Sequence, residues 1–351
     1  MRMQTGQRGF SLVEILVALV ISLVLLAGVW NVFLASRQSY RTNEALSLVQ
    51  DNGRYAAGLL ARELRLTGYK GSCGPNTTIN NLLDPDGAGY DPALFDLDNA
   101  LQGWNNALPV ETFTQGVSGY VAGTDVLLSK HAGLLTSLTA SGNTPTNAAN
   151  INLTNSMSGI AKGTIVVVSD HQGCDIFQNG ADANASNLNR GAGGAPGNIA
   201  SGLFSHQYEG DMEIYTFRSA LYYIGAGADG RPALRRRLFD QGSASDELLA
   251  DGVEDMQITY GEDLNGDRRV DRYCPADAIA SWRDVLAARV TLRVASRTAD
   301  ILDVDQALTY DDGAADPDPD GCEATEVTPD TSDRRLRQVF TTTIALRNRL
   351  P

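Results

Sequence analysis

A nearly unbroken apolar run follows Phe10. It continues from Ile15 to Trp30 with only Ser22 and Gly28 as breaks, and Val32 to Ala35 resume it after Asn31. With residues 10–13 ahead of Glu14, it reaches the roughly 20 residues that a bilayer core requires. The helical period then continues in a different dress. From Ala45, apolar residues recur at Val49, Ala56, Leu60 and Leu64, with Leu59 beside them, while Arg41, Glu44, Asp51, Arg54, Arg62 and Glu63 charge the other faces. That spacing is a helical stripe. No proline precedes Pro75, and Gly68 and Gly71 are stop signals. The pattern predicts a single helix from Phe10 to Thr67, roughly 87 Å long at about 1.5 Å per residue. Residues 10–34 would form its transmembrane and assembly half, and residues 35–70 an amphipathic continuation. Gly53 and Gly58 weaken that continuity by about 1 kcal/mol each relative to Ala, and Gly28 is a local soft point.

After Cys73 the chain changes to short β-like runs between loops rich in Gly, Asn, Asp and Pro. Strands are expected at 125–130, 164–169, 220–224, 233–239, 252–260, 289–296 and 337–347. Residues 179–202 are almost all Ala, Asn, Gly and Ser, which reads as a flexible loop. Residues 137–155 are similar, and 311–333 is acidic with three prolines. The fold class expected is α+β: one long N-terminal helix packed on a β-rich head spanning 71–351.

Charge divides the chain in the same place. Of 351 residues, 1–70 carry 8 Lys/Arg and 4 Asp/Glu, a balance of +4, whereas 71–351 carry 20 and 38, a balance of −18. An acidic head argues against nucleic acid, whose phosphates need a basic face. Arg2 and Arg8 flank the apolar run on its N-terminal side with no acid before Glu14. The positive-inside rule then leaves the first residues in the cytoplasm and sends the head outside. The cysteines, Cys73, Cys174, Cys274 and Cys322, all lie in that exported part, where an oxidising periplasm permits disulfides. Three pairings are possible; nearness in sequence favours Cys73 with Cys174 and Cys274 with Cys322.

Gly9-Phe10-Ser11-Leu12-Val13-Glu14 closes a short basic leader and opens the apolar run. An ordinary secretory signal has its small-residue cleavage site after the apolar region; here the Gly-Phe junction precedes it, so cutting there keeps the helix. The stretch resembles a type IV prepilin. The resemblance implies a leader of residues 1–9, cleavage by a dedicated peptidase between Gly9 and Phe10, and N-methylation of Phe10. It also implies that Glu14, the fifth mature residue, pairs with a neighbouring subunit's N-terminal amine. A charge in a membrane segment costs roughly 2.5–3.5 kcal/mol on insertion scales, so it usually has a partner. Further along, residues 48–73, 163–170 with 175–177, 222–225, 251–261 and 339–349 are similar to the helix and body of PilW-type minor pilins. The loops 82–115 and 137–155 match nothing in that pattern.

What this resemblance implies is a minor pilin of a Gram-negative type IV pilus. It would join a minor-pilin complex that primes filament formation, serves twitching and adhesion, and sits at or near the tip. Its partners would be other minor pilins, the major pilin, a PilY-type adhesin, the inner membrane and, as a substrate, prepilin peptidase. Before assembly the head would stand in the periplasm. A minor pseudopilin J of a type II secretion system is the alternative; the greater length and large loops favour the PilW type. A membrane-anchored periplasmic enzyme is a third class, but no clustered nucleophile and base is visible in the sequence.

Among motifs that could carry chemistry, Asp263-Leu-Asn265-Gly266-Asp267-Arg-Arg269-Val270-Asp271 resembles the start of a calcium loop. Asp263, Asn265, Asp267 and Asp271 fall at positions 1, 3, 5 and 9, and Arg269 offers its carbonyl at position 7. Arg268 stands where such loops carry Gly, and Cys274 where they carry a bidentate acid. Glu262 or the acidic 311–320 segment could supply the missing ligand, or the site is weak; a solvated Asp-Asn-Gly turn between strands is the alternative. Asp316, Asp318 and Asp320 superficially offer a second site, restricted by two prolines. Gly225-Ala-Gly227-Ala-Asp229-Gly230 matches a dinucleotide fingerprint, but Pro232 and a β-like run follow where a helix is needed; Asp229-Gly230 reads instead as a hairpin turn. His131, His171 and His206 are scattered, and His171 with Cys174 is too little for zinc. On a strand, Arg235, Arg236 and Arg237 would split between two faces and make ordinary surface contacts. Calcium is the one cofactor expected.

Overall fold

The computed structural model describes residues 11–74, 77–241, 244–311, 322 and 326–349. Helix α1 runs Leu12–Leu66 without a break, about 82 Å at 1.5 Å per residue. It ends where the Thr67 N–H falls back on Leu64 O at 3.2 Å, and Gly68 then turns the chain with φ +79°. The suspected weak points do not interrupt it. Gly28 and Gly58 face open space, whereas at Gly53 a Cβ would come within 2.1–2.5 Å of the Phe340 ring. Gly53 is thus where helix and sheet touch.

The head contributes, in order, β1 (Asn80–Asn81), α2 (Pro92–Phe95), β2 (Leu101–Trp104), β3 (Val126–Leu135), β4 (Asn150–Asn152), β5 (Ile165–Ser169), β6 (Cys174–Gln178), β7 (Asn187–Asn189) and β8 (Glu213–Ala226). There follow β9 (Pro232–Leu238), β10 (Ser245–Asp251), β11 (Val253–Glu262), β12 (Arg272–Cys274), β13 (Val285–Ala295), β14 (Tyr310–Asp311), β15 (Glu326–Val327) and β16 (Arg337–Ala345). A large sheet has the order β1-β6-β5-β8-β3-β2, with β9 also on β8 and β10 on β9. It branches because β8 is long: Glu213–Thr216 pair with β5, and Ala220–Ala226 pair with β9. A smaller antiparallel sheet has the order β12-β11-β13-β16.

Strand alternation sorts the core. Leu127, Tyr222, Ile224 and Leu234 of the large sheet meet Met256, Ile258, Val290 and Leu292 of the small one, and Val49, Ala56, Leu60 and Leu64 of α1 complete this cluster. The opposite face of the large sheet, with Leu128, Leu221 and Tyr223, packs beneath α2 and its flanking loops. A third cluster, holding Ile151, Leu188, Phe204 and Tyr208, lies against Val166, Val168 and Ile214.

The expectation of a flexible 179–202 loop is corrected by that third cluster. Leu188 is fully buried and β7 pairs with β4. Asparagines supply what apolar residues do not. The Asn198 side chain accepts from Gln178 N and donates to Gln178 O. Asn179 donates to Ile160 O and Ala181 O and accepts from Asn189 N. Buried backbone groups need partners of this kind.

Disulfides join Cys73 to Cys174 and Cys274 to Cys322. The first ties the segment leaving α1 to β6, and the second ties β12 to Cys322. With Cys174 in a disulfide, the His171–Cys174 pair has no thiolate to offer zinc.

Candidate assembly site

Two halves of α1 do different physical work. Ser11 caps the start: its Oγ accepts from Val13 N, and its N–H donates to Glu14 Oε2 at 3.1 Å. The pair forms a capping box. Glu14 therefore sits one turn from the end of an apolar helix, satisfying a backbone donor that the helix leaves unpaired. Gly9 and Phe10 lie outside the described residues.

From Leu12 to Leu34 every large apolar side chain is exposed, Leu12 by 75% and Leu26 by 71%. The head covers none of this apolar span. Each such side chain gains about 1.5–3 kcal/mol on leaving water, so this half demands a bilayer or other helices. At its far end Trp30 stacks near Phe33, with ring centroids 5.9 Å apart, and the Arg37 guanidinium lies 5.3 Å from the Phe33 ring. Aromatics with a cation beyond them mark a membrane–water interface.

The second half is bolted to the head. Ala45, Val49, Gly53, Ala56, Leu60, Ala61 and Leu64 are buried. Polar clamps flank them: Gln38 Nε2 donates to Ile301 O at 2.6 Å, Asn52 Nδ2 to Asp251 O at 3.1 Å, and Asn348 Nδ2 to Arg65 O at 2.9 Å. Glu63 lies 3.4 Å from His131 Nε2 and 3.9 Å from Arg236 Nη1. Burial pushes the Glu63 carboxyl up, but its bond to His131 and the nearby positive charge more than offset this, leaving it below the usual carboxylate range.

The three arginines of β9 do split between faces, but their contacts are not ordinary surface ones. Arg236 points to Glu63 and is held by Glu247 at 2.5 Å; Arg235 donates to Ala226 O at 2.6 Å, and Arg237 lies 3.5 Å from Asp246. All are largely buried because α1 covers one face and the α2 loops the other. The fingerprint at 225–230 is the turn of the β8–β9 hairpin, where Ala226 pairs with Pro232 and Gly230 takes φ +80°.

The calcium-like segment is the loop joining β11 to β12. Arg268, at its sixth position, adopts φ +69°, the turn for which such loops otherwise use Gly. Asp263 accepts backbone N–H bonds from Asn265, Gly266 and Arg268, Asn265 from Asp267, Asp267 from Arg269, and Asp271 from Leu264. Partial desolvation raises the Asp263 carboxyl, but these backbone bonds prevail and hold it below its ordinary range. Glu262 is not a spare ligand: it is 1% exposed, held by Arg272 at 2.9 Å and by the Ala280 and Ser281 N–H groups. Residues 312–321, including Asp316, Asp318 and Asp320, lie outside the described residues. Among the described residues no group of three or more His, Cys, Asp or Glu side chains gathers closely enough to hold a metal.

One grouping was invisible in the sequence. Ser205 Oγ lies 2.9 Å from His206 Nδ1, and His206 Nε2 lies 2.9 Å from Asp170 Oδ2. The order resembles a nucleophile–base–acid chain, but Ser205 Oγ donates to fully buried Asp175 at 2.7 Å, beside the Tyr208 hydroxyl at 2.6 Å. A hydroxyl has one proton, and here it serves the buried carboxylate. The cluster fastens the 204–208 loop to the large sheet.

An apolar helix with a capped start, a carboxylate in its first turn and a β-rich head define a type IV pilin-like protein. The chain matches the prokaryotic N-terminal methylation motif over residues 4–30. It also matches the type IV pilus-assembly protein W family over residues 221–348, the span from the end of β8 through β16 on which α1 docks. Both matches are consistent with a PilW-type minor pilin of the type IV pilus. No curated protein and no solved structure matches it.

Proposed function

We propose that this minor pilin works by assembly rather than catalysis, priming filament growth from a minor-pilin complex and staying at or near the tip. The observation that carries this reading is the division of α1. Its first half is a naked apolar rod with Glu14 in the first turn, and its second half is fixed to the head. Such a rod enters a helical bundle while the head stays outside it. Glu14 is suited to meet the amine that leader removal creates on a neighbouring subunit, because pairing offsets the burial cost of both charges. Other minor pilins, the major pilin and a PilY-type adhesin are the partners proposed, and prepilin peptidase acts on the chain. The 221–348 match supports a pilus over a secretion pseudopilus.

The test is a deletion strain in which pilus retraction is also blocked. Surface pili should become scarce and return on complementation. Wild-type pilus numbers without the protein would remove the priming role, and loss of type II secretion in their place would favour the pseudopilin.

We propose separately a weak calcium site on the β11–β12 loop that forms only as the ion draws Asp263, Asn265, Asp267, Asp271 and the Arg269 carbonyl together, since they are not gathered around a common point without it. The left-handed Arg268 at the sixth position favours it, and the lack of an acid at the twelfth argues for low affinity. Calcium would cross-brace the loop. A ligand that binds only the native state raises stability by about 2.7 kcal/mol at a hundredfold excess over Kd. Unfolding of the detergent-solubilised chain should therefore move upward with calcium, and Asp263→Ala with Asp267→Ala should abolish the shift. No shift in the parent protein reduces the loop to a turn.

A further inference from the structure

A pocket of about 270 Å³ opens where α2, the Thr112–Thr114 turn and the end of β9 converge. Its walls are mostly aromatic: Tyr90 lies 5.8 Å from Phe95 and Phe113 lies 6.0 Å edge-on from Phe239, centroid to centroid, while Asp91 also lines it, with one oxygen accepting from the Ala93 N–H. Arg237 is also on the wall, and Gln115 stands at the mouth. Arg237 is poorly satisfied. Its Nε and Nη1 are buried without a hydrogen-bond partner. Its Nη1 forms an ion pair with Asp246 Oδ2 at 3.5 Å, too long for a hydrogen bond, while Oδ1 of that carboxylate accepts from the Tyr223 hydroxyl at 3.0 Å. Burying donors without acceptors is costly, so the guanidinium favours an incoming anion.

We propose that this pocket receives the C-terminal residue of a partner chain, its α-carboxylate on Arg237 and its apolar side chain between the aromatic rings. The volume falls just below the roughly 300–1,000 Å³ typical of sites for drug-sized ligands and cofactors, and suits one residue. A guanidinium beside aromatic walls asks for a carboxylate and an apolar body on the same small unit, which a chain terminus supplies. An Asp or Glu side chain brings the charge without that body. Position favours a partner as well. Arg237 and Phe239 lie on the face of β9 opposite Arg236, which points to α1. The pocket therefore stays open when α1 enters a helical bundle.

The mature full chain in detergent micelles is titrated, by ligand-observed NMR, with N-acetylphenylalanine, its C-terminal amide, and N-acetylglutamic acid α-amide. The acid should bind, and both amides should bind at least tenfold more weakly. Arg237→Gln should reduce the acid to the level of its amide. Thr112→Trp, on the exposed rim, should block the acid without disturbing the fold, which keeps the test decisive if Arg237→Gln unfolds. Equal binding of acid and amide, equal binding of the glutamyl probe, no millimolar binding of the acid, or unchanged acid binding in Thr112→Trp would each overturn the proposal.

Discussion

At the scale of the residue, Glu14 caps the start of α1, and the proposed pairing with a neighbouring amine would be its second task. Its place as the fifth residue after the proposed Gly9–Phe10 cleavage is legible in the sequence. Its hydrogen bond to the Ser11 N–H is not, because a capping box depends on where the helix begins. Glu14→Ala is expected to be processed normally, because the Gly9 junction is untouched, but to enter filaments poorly. The altered helix loses a charge that is costly in a membrane, so the protein should accumulate in the inner membrane. Comparing mutant and wild type in sheared pili and membranes checks this; equal incorporation would remove charge pairing from the account. Asp175 and Ser205 show the limit of sequence reading. They sit 30 residues apart, in a stretch where composition gave no hint that a buried carboxylate would gather Tyr208 and Ser205 around it.

At the scale of the element, α1 was legible almost to its ends because its stripe keeps one period. The two glycines in the amphipathic half of α1, Gly53 and Gly58, look alike in sequence and differ in place. Gly58→Ala fills open space and should stabilise by roughly 0.5–1 kcal/mol through helix propensity. Gly53→Ala carries the same gain but drives a methyl into Phe340, and overpacking of this kind costs about 1–3 kcal/mol. Gly53→Ala alone should therefore be neutral to destabilising, and in a Phe340→Ala background it should become stabilising. Denaturant unfolding of the double-mutant cycle measures the coupling; additive effects would mean that Gly53 is not the helix–sheet contact. The strands were less legible. β3, β5, β9, β11, β13, β16 and the 220–224 part of β8 announce themselves as apolar or alternating runs. β6 carries buried Asp175 as its second residue and β7 is Asn-Leu-Asn, so neither reads as a strand without its partner.

At the scale of the whole molecule, ion pairs fasten the last strand to the small sheet. Arg337 is 4% exposed at its side chain and bridges Glu254 at 2.8 Å and Asp333 at 2.6 Å. Its hydrogen bond holds the Asp333 carboxyl down at about 2. A carboxylate depressed in the folded state contributes stability that is present above its unfolded value and lost as pH falls through the folded one. For Asp333 that window runs from about pH 4 down to about pH 2. Solvent reaches Asp333, so the effect is screened and modest. The unfolding temperature of the detergent-solubilised chain should fall across that window, and Asp333→Asn should flatten part of the fall. An identical acid profile in the variant would show that this bridge is not a fastening point. The overall plan of anchor helix and acidic β-rich head was legible from hydropathy and charge. The branching of the large sheet around β8 was not, because strand order is a long-range property that no local pattern carries.

Processing and placement together test the central claim most directly. Filaments are sheared from cells, and the N-terminal peptide of this protein is identified in that fraction by mass spectrometry. The account predicts that the protein is present, that residues 1–9 are absent, and that the chain begins at N-methylated Phe10 with the apolar helix retained. A chain starting beyond the apolar run, or one confined to membranes with residues 1–9 intact, would contradict it.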